Sequence, residues 1–228
     1  MTQQHEHFRL QFGCGLCQPE GWLNFDSTPT LFAASIPLVR QISKTIWQAK
    51  YSKKFYGKSV PANHQILRNL AYTNALYGDI TKGLPVPRRS CRQVYASHVI
   101  EHLPLESAKI ALSNTAAILE PDGCFRIVVP DLKYYIDQYL ASGEADAAIE
   151  FCLQTGMGSR AWGFILSRLR GDRHHLMYDD KALRFILEGS GFSRIRQAFY
   201  GDSNFDFSDV EIPERWQVPG TIGFECML

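Results

Sequence analysis

This sequence lacks the features that mark several large classes of protein. No stretch approaches the roughly 20 consecutive apolar residues of a helical membrane span, and the opening MTQQHEHF lacks an apolar core of signal-peptide length. The expectation is a cytoplasmic protein. There is no excess of one charge: 24 Lys and Arg stand against 23 Asp and Glu, a formal net charge of +1, so no nucleic-acid partner is expected. Regular cysteine spacing is missing too. Cys14, Cys17, Cys91, Cys124, Cys152 and Cys226 are scattered, which reads as reduced thiols rather than a disulfide frame. The lone C-x-x-C of Cys14 and Cys17 has no second pair to complete four zinc ligands. At 228 residues the chain suits one core, and we expect a single domain over 1–228 with a helical insertion at about 30–72.

A further absence lies in HFRLQFGCGLCQPEGWLNFD, residues 7–26. Two strand-like segments, 8–12 and 22–26, flank Gly13 and Gly15, which can bring the backbone close to a ligand. Asp26 ends the second segment, where it can accept hydrogen bonds from ribose hydroxyls. A dinucleotide fingerprint would add a third glycine and a helix whose N-terminus faces a pyrophosphate. Here Gln18 takes that position, followed by Pro19 and Gly21, and only nine residues separate Phe12 from Trp22. A parallel crossover usually takes about a dozen or more residues, so no ordinary helix fits, and a nicotinamide-type dehydrogenase is disfavoured. A ligand with a ribose but no phosphate, S-adenosyl-L-methionine, suits the segment; a plain turn is the simpler alternative.

Beyond Pro29 the strand pattern is interrupted. LFAASIPLVRQISKTIWQAK and HQILRNLAY have helical apolar spacing and are joined by the basic YSKKFYGKSVPAN. Leu38, Ile42, Ile46 and Trp47 share a face bordered by Arg40 and Lys44, which reads as a lid, with peripheral membrane contact or a grip on an acidic substrate as alternatives. TNALYGD then predicts a strand ending at Asp79, and RQVYASH another ending near Ser97. LESAKIALSNTAAILE predicts an amphipathic helix stopped by Pro121-Asp122-Gly123, and CFRIVVP a strand buried on both faces, with Asp131 just beyond it. DLKYYIDQYLASG, EADAAIEFCLQTG and DDKALRFILEGSG predict helices; FSRIRQAFY and TIGFECML predict a closing antiparallel strand pair.

In order, FGCG, GWLNFD, YGDI, VYASHVIEHL, AAILEPDGCFRIVVPDL and HHLMYDDKALRFILEGSGF resemble the class I (Rossmann-like) S-adenosylmethionine-dependent methyltransferases. More narrowly, they resemble small predicted members associated with bacterial cell-surface sugar pathways. The likeness covers 7–29 and about 73–200. It implies an α/β fold: a mostly parallel sheet flanked by helices, with an antiparallel pair at the C-terminal end. It further implies that Gly13, Cys14 and Gly15 pass under the methionine part of the cofactor, that Asp26 binds the ribose, that Asp79 and the Ile80 backbone meet the adenine, and that Ser97 and His98 line the methionine and the acceptor. Gln11 departs from the pattern, standing where an acidic residue often precedes the glycines.

His98-Val99-Ile100-Glu101-His102 also spells H-x-x-E-H, a zinc-peptidase pattern that needs a continuous helix. A strand before it and Pro104 after it argue against that helix, so no metal is expected, and His102 reads as a helix N-terminal or structural residue. The resemblance implies methyl transfer to an oxygen or nitrogen of a small-molecule or glycan-linked acceptor. His98, Asp131, His174 and His175 are the candidate bases; Asp131 equally suits a helix cap. A non-catalytic cofactor-binding or interaction module is the alternative, and no feature specifies an oligomeric state.

Overall fold

The structure, a computed structural model, describes residues 7–15, 17–28, 31, 74–142, 174–216 and 220–228. The 30–72 insertion, apart from Leu31, and the EADAAIEFCLQTG segment with Cys152 lie outside the described residues. Among the described residues seven strands form one sheet: β1 (Phe8–Phe12), β2 (Leu23–Asp26), β3 (Ala75–Tyr77), β4 (Cys91–Ser97), β5 (Leu119–Pro130), β6 (Arg194–Ala198) and β7 (Thr221–Met227). Their order is β3-β2-β1-β4-β5-β7-β6. The first five are parallel, and β7 runs antiparallel between β5 and β6. The expected fold class and closing antiparallel pair are therefore present.

Alternation along the strands sorts residues onto two unlike faces. Phe25, Phe12, Ala96, Ile127 and Phe224 stand in register across the sheet. They belong to the main core with Leu112 of α1 (Leu105–Ile118) and Leu183 and Leu187 of α3 (Asp180–Gly189). Asp179 begins α3 by accepting the Ala182 amide, 2.8 Å away. α2 (Leu132–Ser142) follows β5 directly.

One residue along the same strands, the opposite face carries the row Asn24, Gln11, Tyr95, Arg126, Glu225 and Arg196. Among the described residues no helix of ordinary length follows β1 to cover it. The segment between β6 and β7 lies there instead: Phe207 and Val210 pack with Trp22, Tyr95 and Val128, and Trp216 of the short α4 (Pro213–Trp216) adds to that cluster.

Arg126 ties the segment down. It is fully buried, and its guanidinium donates to Glu211, to Glu225 at 3.0 Å and to the Phe199 carbonyl, with Asp202 at 3.0 Å. Trp216 and Phe207 lie over it at 4.6 and 5.8 Å. Glu211 reaches on to the Gly201 amide, and Arg196 pairs with both Asp202 and Glu225.

Two local expectations are corrected. α1 ends at Ile118 because Leu119 is already extended and pairs with Cys91; Pro121–Gly123 bulge out before Cys124 pairs with Gln93. The turn residues thus sit inside β5. His102 is not at a helix N-terminus but ends a 3₁₀ turn, Ile100–His102, because Leu103, preceding Pro104, is held extended at φ −99° and ψ 141°.

Replacing Arg126 with Met leaves Glu211 buried without its counter-charge and Glu225 with Arg196 alone, and a cost of about 3–5 kcal/mol is expected in urea unfolding. Adding Glu211→Gln and Glu225→Gln should recover part of it; no recovery would place the loss in packing. Burial alone would raise the Asp202 carboxyl, but hydrogen bonds from Arg196, the Phe199 backbone and Arg126 bring it below its ordinary 3.8. Its contribution is therefore complete above that value and lost as pH falls through the lower folded value. Acid titration of unfolding free energy should show this loss, and Asp202→Asn should reduce its slope.

Candidate functional site at the strand ends

Of the residues singled out in the sequence, Gly13, Cys14, Gly15, Asp26, Asp79, Ile80, Ser97 and His98 lie where β1 to β4 end, and Asp131 follows β5. Gly13 has φ +66°, and a Cβ there would overlap Val99 Cγ2, so only glycine permits the close passage of these two loops. The Cys14 amide donates to the Phe25 carbonyl at 3.1 Å, and the Gly15 amide donates to Asp26 Oδ2 at 2.8 Å. Asp26 Oδ1 accepts the Thr28 amide at 2.8 Å, while the Asp26 carbonyl accepts from Gly78 at 3.0 Å. The glycine turn is thus laid across the end of β2, with Asp26 5% exposed at the junction.

Side-chain amides replace the missing crossover helix. Gln11, buried, donates to the Cys17 carbonyl at 2.7 Å and to Asn24 Oδ1. Asn24 in turn donates to the carbonyls of Pro19, Trp22 and Asn74. A glutamate at position 11 would oppose the Cys17 and Asn24 oxygens with another acceptor, which explains the departure in local terms. Asp209 accepts from Arg9 at 3.0 Å and from Trp22 Nε1 at 3.4 Å, joining the loop to the β6–β7 segment. Burial first, then the Asp26 charge, pushes the Cys14 thiol up to about 12, and burial also raises Cys17, so both stay protonated at neutral pH.

Asp79 caps the 3₁₀ turn Ile80–Lys82: Oδ1 accepts the Thr81 amide at 3.0 Å and its hydroxyl at 2.7 Å, and Lys82 lies 3.3 Å from Oδ2. Burial opposes ionisation there, but these contacts prevail and lower its pKa. The Ile80 carbonyl accepts from Asn114 at 2.7 Å, pinning the turn to α1. Ser97 is buried at the end of β4. His98 follows with φ +55°, an uncommon conformation for a non-glycine residue. Its amide donates to the Val128 carbonyl at 2.9 Å, and its Nε2 is 3.4 Å from the Arg215 carbonyl.

The candidate bases divide into two groups. His98 Nδ1 lies 3.3 Å from Glu101 Oε1, and the His102 and His174 rings meet edge to face at 4.9 Å. His175 is exposed and only its amide joins, donating to the Glu101 carbonyl at 2.6 Å. Asp131 accepts the Lys133 amide at 2.9 Å and so begins α2. Its carboxyl is raised above 3.8 by burial, against the Lys133 and Tyr134 amides and with help from the Asp179 charge. The sequence offered no warning of Glu101 as a fully buried carboxylate, or of Arg215, whose guanidinium comes within 3.8 Å of where a Gly15 Cβ would stand.

Five parallel strands, a β7 inserted antiparallel beside β5, and a glycine turn meeting an acid at the ends of β1 and β2 decide the fold. It is the class I S-adenosylmethionine-dependent methyltransferase fold. No family model matches the chain, and no curated protein sequence matches it. Among solved structures, the chain is similar to one from a complex of a Haloferax volcanii methyltransferase with the Trm112 methyltransferase activator, at 14% identity over 100% of this chain and 84% of that one, TM-score 0.46. It is also similar to a SAM-dependent methyltransferase from Archaeoglobus fulgidus, at 14% identity, coverages of 97% and 87%, and TM-score 0.46. A third, a SAM-dependent methyltransferase from Thermotoga maritima, shares 10% identity, with coverages of 97% and 82% and TM-score 0.48. A fold of this class does not by itself assign a substrate.

Gly13→Ala should destabilise the protein by about 1–3 kcal/mol through the positive φ and the overlap with Val99. In denaturant unfolding, Gly13→Ala in a Val99→Ala background should cost less than in the wild type. Equal costs would show that the overlap is relieved elsewhere.

Proposed function

We propose that this chain binds S-adenosyl-L-methionine and transfers its methyl group to an oxygen or nitrogen of a small-molecule or glycan-linked acceptor. The observation that carries the reading is the state of Asp26. Each of its carboxylate oxygens accepts one backbone amide, from Gly15 and from Thr28. An ionised carboxylate has about four acceptor positions, so Asp26 can hold the glycine turn and still receive the two hydroxyls of a ribose. The turn at Gly13 and Gly15 and the end of β4 at Ser97 border the same strand ends, which suits a nucleoside with a methionine tail.

The sulfonium, when bound, supplies a methyl group already activated for displacement. The protein's share is position and exclusion of water, and good orientation of reactants is worth on the order of 7–11 kcal/mol. In this reading Asp26 orients the ribose, Gly13 to Gly15 and Ser97 border the methionine portion, and Asp79 with the Ile80 backbone faces the adenine. Where the acceptor is a hydroxyl, His98 is the favoured base, since it follows β4 at the edge where the methionine would lie; Asp131, with its raised carboxyl, comes next. Gln11 has a local structural duty, so it does not speak for a cofactor-free module.

Calorimetry with S-adenosylmethionine or its demethylated product is expected to give saturable binding with the full chain and none with Asp26→Ala. The same affinity in both proteins would remove Asp26 from the site. Labelled S-adenosylmethionine incubated with small-molecule and glycan extracts should mark the acceptor.

A further inference from the structure

Glu101 presents an unresolved charge problem. It is fully buried, yet neither carboxylate oxygen has a hydrogen-bond partner among the described residues. His98 Nδ1 and His102 Nε2 stand 3.3 and 3.8 Å from Oε1, within ion-pair reach but without hydrogen-bond geometry. Burying a carboxylate in this way is strongly unfavourable unless a cation or strong donors answer it. Backbone geometry keeps it in place: the Glu101 carbonyl accepts the amides of both His175 and Leu176, at 2.6 and 3.2 Å, which brings the 174–176 segment against the turn after β4. That attachment carries His174 to the same point. One ligand atom from each of Glu101, His102 and His174 lies within 4.8 Å of the others.

We propose that Glu101, His102 and His174 form a binding site for a divalent first-row transition-metal ion such as Zn2+. The donor set is one carboxylate oxygen and two imidazole nitrogens, which favours Zn2+, Fe2+ or Co2+ over Mg2+ or Ca2+. Bond lengths of about 2.0–2.2 Å place tetrahedral ligand atoms about 3.4 Å apart. The Glu101–His102 separation of 3.8 Å is already close to that. This is not the helical arrangement of H-x-x-E-H peptidases. Glu101 is a ligand here rather than a base, and the second firm imidazole comes from a distant part of the chain. The site needs no methyl-transfer activity to exist. If the chain is a methyltransferase, the ion would sit beside the end of β4, where it could polarise an acceptor hydroxyl.

The test uses the full chain, stripped with a chelator and titrated separately with Zn2+ and Co2+. Expected are one equivalent of tightly bound Zn2+ by calorimetry and elemental analysis, a rise in unfolding temperature, and visible absorption bands from Co2+ held by nitrogen and oxygen ligands. His174→Ala, at a half-buried position, and the milder His102→Asn should each weaken Zn2+ binding at least about tenfold to a hundredfold, whereas His7→Ala should not. Far-UV circular dichroism identifies which variants remain folded. Absence of stoichiometric binding by the wild-type chain would overturn the site, as would undiminished binding in a folded His174 or His102 variant. Binding of the demethylated cofactor product, measured on the same samples, reports separately on the methyltransferase reading.

Discussion

The burial of Arg126 is the constraint on which the rest of this structure depends. A guanidinium in the middle of β5, with no access to water, carries a charge that must be answered by carboxylates around it, and Glu211, Glu225 and Asp202 do so. Two of these acids lie between β6 and β7, so satisfying Arg126 dictates the path of that connection. It must cross the sheet face that the short β1–β2 crossover leaves without a helix. Aromatic cover from Trp216 and Phe207 then excludes water from the guanidinium and fills the same space.

The strand-end site inherits its shape from this arrangement. Because the β6–β7 connection is held on that face, Asp209 reaches Arg9 and Trp22, while Arg215 approaches the glycine turn and His98. On the other face, α1 secures the Asp79 turn through Asn114. The ends of β1 to β4 are therefore braced from both sides by segments far apart in sequence. Such bracing can keep a glycine turn, a left-handed histidine and a buried glutamate in place, none of which would hold its conformation alone.

Much of this was legible from local pattern. The short run between Phe12 and Trp22 excluded a crossover helix by length alone, and the β-branched CFRIVVP announced a central strand. Asp131 could be read as a cap because its spacing to Lys133 is local. The helix stop expected at Pro121-Asp122-Gly123 was harder: α1 already ends at Ile118, and pairing of Leu119 with Cys91 leaves those three residues as a bulge inside β5. An arginine within an apolar strand was the one visible signal of the buried network, and it named no partner. Glu211 and Glu225 stand 85 and 99 residues away.

What the sequence determined by itself was whatever depends on neighbours along the chain: strand and helix periods, the glycine turn, the acid ending β2 and the mostly parallel α/β class. Tertiary structure alone decided which face each polar residue would occupy and what would meet it there. Gln11 became an anchor for a loop rather than a missing acid, because register placed it beside Asn24 and Tyr95. Glu101 was drawn together with His174 because two backbone amides from the 174–176 segment bind its carbonyl. Local pattern follows from backbone geometry over a few residues, whereas charge burial is settled only when distant segments exclude water together.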